Sequence, residues 1–64
     1  MKIGIDLGGT KTEAILIDED GNEIFRKRIK TEKNYTGTLN GIITLIKEIE
    51  DKFEKIDSVG IGMP

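Results

Sequence analysis

Cysteine and histidine are both absent from this 64-residue sequence. No disulfide scaffold or thiolate metal site can form, and the usual imidazole base and ligands are missing too. The lack of cysteine fits a reducing cytoplasm, which is the expected location. A surplus of positive charge is also lacking: ten Lys and Arg face twelve Asp and Glu, a net charge of −2. That balance argues against a nucleic-acid-binding surface. No apolar run approaches the length that spans a bilayer, and Met1-Lys2 does not lead into a signal-peptide apolar region. Neither nucleic acid nor membrane is an expected partner. Sixty-four residues make at most one small domain, with a marginal core and no metal or disulfide to staple it.

What the chain does have is concentrated at its start, in Met1-Lys-Ile-Gly-Ile-Asp-Leu-Gly-Gly-Thr-Lys-Thr12. A short apolar run meets a carboxylate, then two glycines, a hydroxyl and a lysine, and a second apolar run (Ala14 to Ile17) follows. Each part suits a polyphosphate. Gly8 and Gly9 let backbone N–H groups approach phosphate oxygens with no side chain in the way. Thr10 offers a hydroxyl donor, Lys11 a positive charge, and Asp6 a carboxylate able to hold Mg²⁺ through its water shell.

Two well-known phosphate motifs do not fit. A P-loop needs Gly-Lys adjacent and a helix beginning there. Here Thr10 separates Gly9 from Lys11, and Thr12-Glu-Ala-Ile-Leu-Ile17 is a strand pattern. The G-x-G-x-x-G dinucleotide fingerprint fails on spacing. What remains is a strand, a Gly-Gly turn and a second strand. Gly-Gly between apolar runs is also an ordinary hairpin signal, with the Asp as a turn cap. Lys11 beside such a turn is open to a purely solvated reading.

The rest of the chain reads as a compact series of elements. The first strand is Lys2 to Asp6, with Ile3 and Ile5 on one face and Gly4 and Asp6 on the other. The second, Thr12 to Asp18, is apolar on both faces, as in a covered central strand. Asp18-Glu-Asp-Gly-Asn22 is a turn. The third strand, Glu23 to Thr31, alternates Ile24, Arg26 and Arg28 with Phe25, Lys27 and Ile29, the pattern of a guarded edge. A helix from Tyr35 to Phe53 is expected to bury Leu39, Ile42, Ile43, Ile46, Ile49, Glu50 and Phe53, with Thr44, Lys47, Glu48, Asp51 and Lys52 on its wet side. Asn34 or Thr36 caps it, and Gly37 and Gly41 weaken its first turns. The last strand, Ser58 to Met63, places Gly60 and Gly62 on one face. Those glycines mark either a close ligand or tight packing against the helix. The charged third strand belongs at an edge, and a right-handed crossover sets the last strand parallel to the first. The expected sheet order is 3-2-1-4.

Ile3-Gly-Ile-Asp-Leu-Gly-Gly-Thr-Lys-Thr12, with Val59-Gly-Ile-Gly-Met-Pro64 after one helix, resembles the amino terminus of the ROK sugar kinases. That family includes glucokinases, fructokinases and N-acetylhexosamine kinases. The run Asp-Leu-Gly-Gly-Thr-Lys-Thr-Glu is similar to its manno(fructo)kinase branch. The resemblance covers essentially the whole chain. It implies an α/β fold, part of an actin-like ATPase (ribonuclease H-like) lobe with order β-β-β-α-β. It also implies transfer of the γ-phosphoryl of ATP, with Mg²⁺, to a hydroxyl of a hexose or amino sugar. Asp6 would orient the metal or its waters, and Gly8, Gly9, Thr10 and Lys11 would contact the phosphates.

The family's catalytic aspartate, zinc site and sugar-contacting residues have no counterpart in these 64 residues. The chain is therefore expected to be the amino-terminal part of the small, phosphate-binding lobe, inactive alone. It is expected to self-associate, and its parent to be a homo-oligomer. Two rival readings stay open. One is a ROK-type transcriptional regulator, disfavoured because the hairpin starts at residue 2 and leaves no room for a helix-turn-helix. The other is a non-kinase actin-like lobe.

Overall fold

A computed structural model describes residues 1–62. In chain order the elements are β1 (Lys2–Leu7), β2 (Lys11–Ile17), β3 (Glu23–Lys30), α1 (Tyr35–Lys52) and β4 (Ser58–Gly62). The strands form one sheet of order β3-β2-β1-β4. β1 and β3 run antiparallel to β2, and β4 runs parallel to β1. Order and directions are those expected from the sequence. Met63, expected at the end of the last strand, lies outside the described residues.

The period-two pattern divides the sheet into two unlike faces. Ile3 and Ile5 of β1 and Ala14 and Leu16 of β2 are buried beneath α1, which meets them with Ile42, Leu45 and Ile49. Phe25 and Ile29 of β3 flank this core, and the Phe25 ring lies 5.5 Å from that of Phe53. The opposite face carries Gly4, Asp6, Glu13 and Ile15, and no described element covers it. β2 is therefore central but covered on one side only: Ala14 and Leu16 are fully buried, whereas Ile15 and Ile17 are half-buried.

The helix differs from its expected orientation. Leu45, absent from the expected apolar stripe, is 2% exposed, while Leu39 and Ile43 are 40% and 47% exposed. Glu50 faces solvent. Glu48, expected on the wet side, is half-buried and accepts a 2.7 Å hydrogen bond from Lys27 on β3. The stripe that meets the sheet is Ile42, Leu45 and Ile49, at i, i+3 and i+7. Both choices satisfy helical spacing. With this face of the helix on the sheet, Lys27 of β3 pairs with Glu48, and Lys52 Nζ lies 5.0 Å over the Phe25 ring.

Asn34 is the N-cap, and its side chain accepts from the Gly37 N–H at 2.6 Å. Both helical glycines lie close to neighbouring side chains. A Cβ on Gly37 would lie 2.8 Å from Glu32 Cβ, and one on Gly41 would lie 3.1 Å from Ile29 Cδ1. The cost in helix propensity is thus tied to the close seat of the helix on β3 and the loop before it. At the other end of the sheet, Asp18 Oδ1 accepts from the N–H groups of Asp20 and Asn22, both at 2.9 Å. Gly21 completes that turn with φ of 87°.

Candidate phosphate-binding turn

β1 delivers Asp6 to the uncovered face because Ile3 and Ile5 must face the helix and side chains alternate along a strand. In register, Asp6 lies opposite Glu13 on β2 and Gly62 on β4. Asp6 is exposed. Glu13 is engaged elsewhere: its carboxylate takes hydrogen bonds from Arg26 and from Arg28, the latter at 3.0 Å from Nε. Those two guanidinium groups offset the repulsion that two carboxylates in opposite positions would otherwise generate. Asp6 has no ion-pair partner among the described residues and is the carboxylate left available to a cation.

The turn that follows is Gly8-Gly9-Thr10, closed by a 3.0 Å bond from the Gly8 N–H to the Lys11 carbonyl. The two glycines serve different purposes. A Cβ on Gly8 would lie 2.8 Å from the Lys11 carbonyl oxygen, so the closed turn itself excludes a side chain. A Cβ on Gly9 would meet nothing within 4 Å. Packing within the described residues therefore does not account for Gly9, while an approaching ligand would. Gly9 and Thr10 are exposed, and neither N–H has a backbone acceptor among the described residues. Such N–H groups in a tight turn are suited to an anion.

Lys11 is exposed and stands opposite Lys30 of β3. Neither lysine forms an ion pair among the described residues. With Thr10, Arg28 and Ile29 they line an open groove of about 450 Å³ beside the turn. Like charges in opposite positions repel, so this flank is electrostatically prepared for a negative group. All five residues singled out in the sequence, Asp6, Gly8, Gly9, Thr10 and Lys11, thus fall within or directly beside one hairpin end.

Gly60 and Gly62 lie on the same uncovered face, Gly60 opposite Gly4 and Gly62 opposite Asp6. A Cβ at Gly4 or at Gly60 would meet nothing within 4 Å. Tight packing against the helix, one of the two explanations offered above, is excluded because α1 is on the other side.

One residue of this region escaped the sequence reading. Thr31, just past β3, donates from its hydroxyl to the Gly8 carbonyl at 2.9 Å and from its N–H to the Thr10 carbonyl at 2.9 Å. A threonine ending a strand carries no distinctive local signal. Only the β2–β3 register, which continues from Lys11–Lys30 to Thr10–Thr31, brings it to the turn.

A family model, the ROK family, matches residues 2–64. The chain belongs to the ROK family. Among ROK relatives, the N-acetyl-D-glucosamine kinase of Haemophilus influenzae is 35% identical over 65 aligned positions, spanning 100% of this chain and 21% of the relative. The kinase of the same name from Pectobacterium atrosepticum is 38% identical over the same spans. A crystal structure of a ROK glucokinase from Streptomyces griseus, in complex with glucose and AMPPNP, superposes with a TM-score of 0.86 at 29% identity. It covers 97% of this chain and 20% of that one. The chain thus spans about a fifth of the length of the ROK relatives it matches, and its four-stranded sheet and helix have the actin-like ROK fold.

Proposed function

We propose that residues 1–64 are the amino-terminal part of the small, phosphate-binding lobe of an ATP-dependent sugar kinase. The carrying observation is the hairpin end, where an unpaired carboxylate, two exposed N–H groups and a flanking lysine lie together. Relatives named as N-acetyl-D-glucosamine kinases, matched along the whole of this chain, support the same reading, as does a ROK glucokinase crystallised with an ATP analogue. An amino sugar or a hexose is the acceptor, with N-acetyl-D-glucosamine the first candidate.

In this reading the Gly9 and Thr10 N–H groups and the Thr10 hydroxyl hold the phosphate oxygens, and Lys11 offsets their charge. Asp6 suits Mg²⁺, a cation that takes one or two carboxylates, keeps several waters and completes its shell with substrate phosphates. No group of three or more acidic or imidazole ligands occurs among the described residues, so a dedicated protein cage is not what these residues would build. When bound, Mg²⁺ supplies neutralisation of the charge on the transferring group. The chain's own contribution is to position the phosphates and hold them against charge build-up, which is most of what phosphoryl transfer requires of a protein.

The 64-residue polypeptide alone is proposed to be inactive, since no carboxylate here is assigned to accept the sugar's proton. The test is a coupled assay of the full-length protein with Mg–ATP and a panel of N-acetyl-D-glucosamine, N-acetyl-D-mannosamine, glucose and fructose. ADP release dependent on one of these sugars is expected. Sugar-independent ATP turnover, or none, would overturn the kinase reading.

A further inference from the structure

Thr31 lies outside the residues assigned to the phosphates, yet it makes the contacts that hold their turn. Its N–H donates to the Thr10 carbonyl at 2.9 Å, extending the β2–β3 ladder by one step. Its hydroxyl donates to the Gly8 carbonyl at 2.9 Å and lies 2.7 Å from the Thr12 hydroxyl. A hydroxyl carries one proton. Because the Thr31 proton goes to Gly8, the Thr12 hydroxyl must be the donor between the two threonines. A directed chain results, from Thr12 to Thr31 to the Gly8 carbonyl. Thr12 is 2% exposed, so this chain begins in the core and ends at the turn.

The consequence concerns which backbone groups remain free. In a three-residue turn the carbonyls and the N–H groups lie close together, and only the N–H groups attract an anion. Here the Gly8 and Thr10 carbonyls are both occupied by Thr31, and the Gly8 N–H is occupied by Lys11. Left over among the described residues are the N–H groups of Gly9 and Thr10 and the Gly9 carbonyl. A carbonyl released from Thr31 could rotate toward the same region, and its negative end would repel phosphate. The ladder bond alone could come from any residue other than proline. The hydroxyl bond needs serine or threonine.

We propose that Thr31 is a positioning residue of the phosphate site, holding the Gly8 carbonyl away from the polyphosphate so that the Gly9 and Thr10 N–H groups face it. The inference rests on the kinase reading above and adds a residue to it.

The test uses the full-length protein and compares Thr31→Val, Thr31→Ser and Ile49→Val. Valine keeps the branched shape and removes the hydroxyl, serine keeps the hydroxyl, and Ile49→Val is a core change remote from the turn. Thr31→Val should raise the KM for Mg–ATP and weaken Mg–AMPPNP binding on the order of tenfold, as expected for losing one well-aligned hydrogen bond to the nucleotide. The sugar KM should not move, and Thr31→Ser should restore nucleotide affinity. Ile49→Val should lower thermal stability with nucleotide affinity intact, which separates positioning from general stability. Wild-type nucleotide affinity in Thr31→Val would overturn the inference and leave the kinase reading standing. A wild-type protein that neither binds Mg–AMPPNP nor phosphorylates sugar would overturn both. Should Thr31→Val fail to fold, Thr31→Ala and Thr31→Ser are compared by Mg–AMPPNP titration. Thr31→Ala, which lacks the hydroxyl, should bind on the order of tenfold more weakly than Thr31→Ser, and equal affinities would overturn the inference.

Discussion

Asp6 and Glu13 occupy directly opposite positions on β1 and β2, on the face of the sheet that the helix leaves open. Two carboxylates so placed would repel, but they are not equivalent. Glu13 accepts from Arg26 and Arg28, whereas Asp6 has no such partner among the described residues. The arginines that guard the β3 edge therefore also divide the labour between two acids, leaving one structural and one free.

Asp6→Asn in the full-length protein should lower kcat about a hundredfold, the scale for removing one group that stabilises transition-state charge. Sugar KM should change little, because the carboxylate serves metal and phosphate. Steady-state kinetics with sugar and Mg–ATP varied in turn make the check. An unchanged kcat with a raised sugar KM would contradict the assignment.

Gly8 and Gly9 should respond differently to alanine. At Gly8 the new methyl would lie 2.8 Å from the Lys11 carbonyl, so the turn must open. A loss of about 1–3 kcal/mol is expected from such overpacking, with nucleotide affinity lost as well. At Gly9 there is room within the described residues, so Gly9→Ala should fold normally and weaken only nucleotide binding. Urea denaturation paired with Mg–AMPPNP titration distinguishes the two.

The helix orientation is tested by Leu45→Ala and Ile43→Ala. Leu45 is 2% exposed, and truncating a buried leucine costs about 2–5 kcal/mol. A domain this small has roughly 3–5 kcal/mol in total, so Leu45→Ala should leave the 64-residue polypeptide largely unfolded by circular dichroism. Ile43, at 47% exposed, should cost under about 1 kcal/mol. A larger loss for Ile43→Ala than for Leu45→Ala would mean that the helix sits as its sequence pattern alone suggested.

Four carboxylates link stability to pH. The Asn22 N–H lowers the pKa of Asp18, Arg26 that of Glu23, Lys27 that of Glu48, and the terminal ammonium that of Asp57. A folded-state pKa below the unfolded value stabilises the fold above the unfolded value, and that gain is lost as pH falls through the folded value. The ordinary values are 3.8 for Asp and 4.5 for Glu. The melting temperature should therefore be flat from neutral pH to about 5 and fall below 4.5. Glu48→Gln should flatten part of that fall. All four groups are near the surface, where salt screens them, so high ionic strength should reduce the slope for the three held by cations more than for Asp18.

Much of the architecture was legible from local pattern. Alternation in Lys2–Leu7 and Lys11–Ile17, the cations of β3 and the long apolar repeat of α1 each follow from one element's own periodicity. With the handedness of crossovers, that suffices for the sheet order. The turn residues were legible too, because Asp6, Gly8, Gly9, Thr10 and Lys11 are contiguous or nearly so. Leu45 was missed because two stripes on one helix satisfy the same spacing, and the choice between them lies in packing against β1 and β2, residues distant along the chain.

The sequence by itself determined the strand–turn–strand motif, the edge strand and the family, and narrowed the helix cap to Asn34 or Thr36. All of these depend on residues near one another along the chain. Only the tertiary structure decided which face of α1 is buried, that Glu13 is neutralised while Asp6 is not, and that Thr31 reaches back to Gly8. Each of these depends on contacts between distant residues, and for the strand residues a register one residue away would have sent the side chains to the other face.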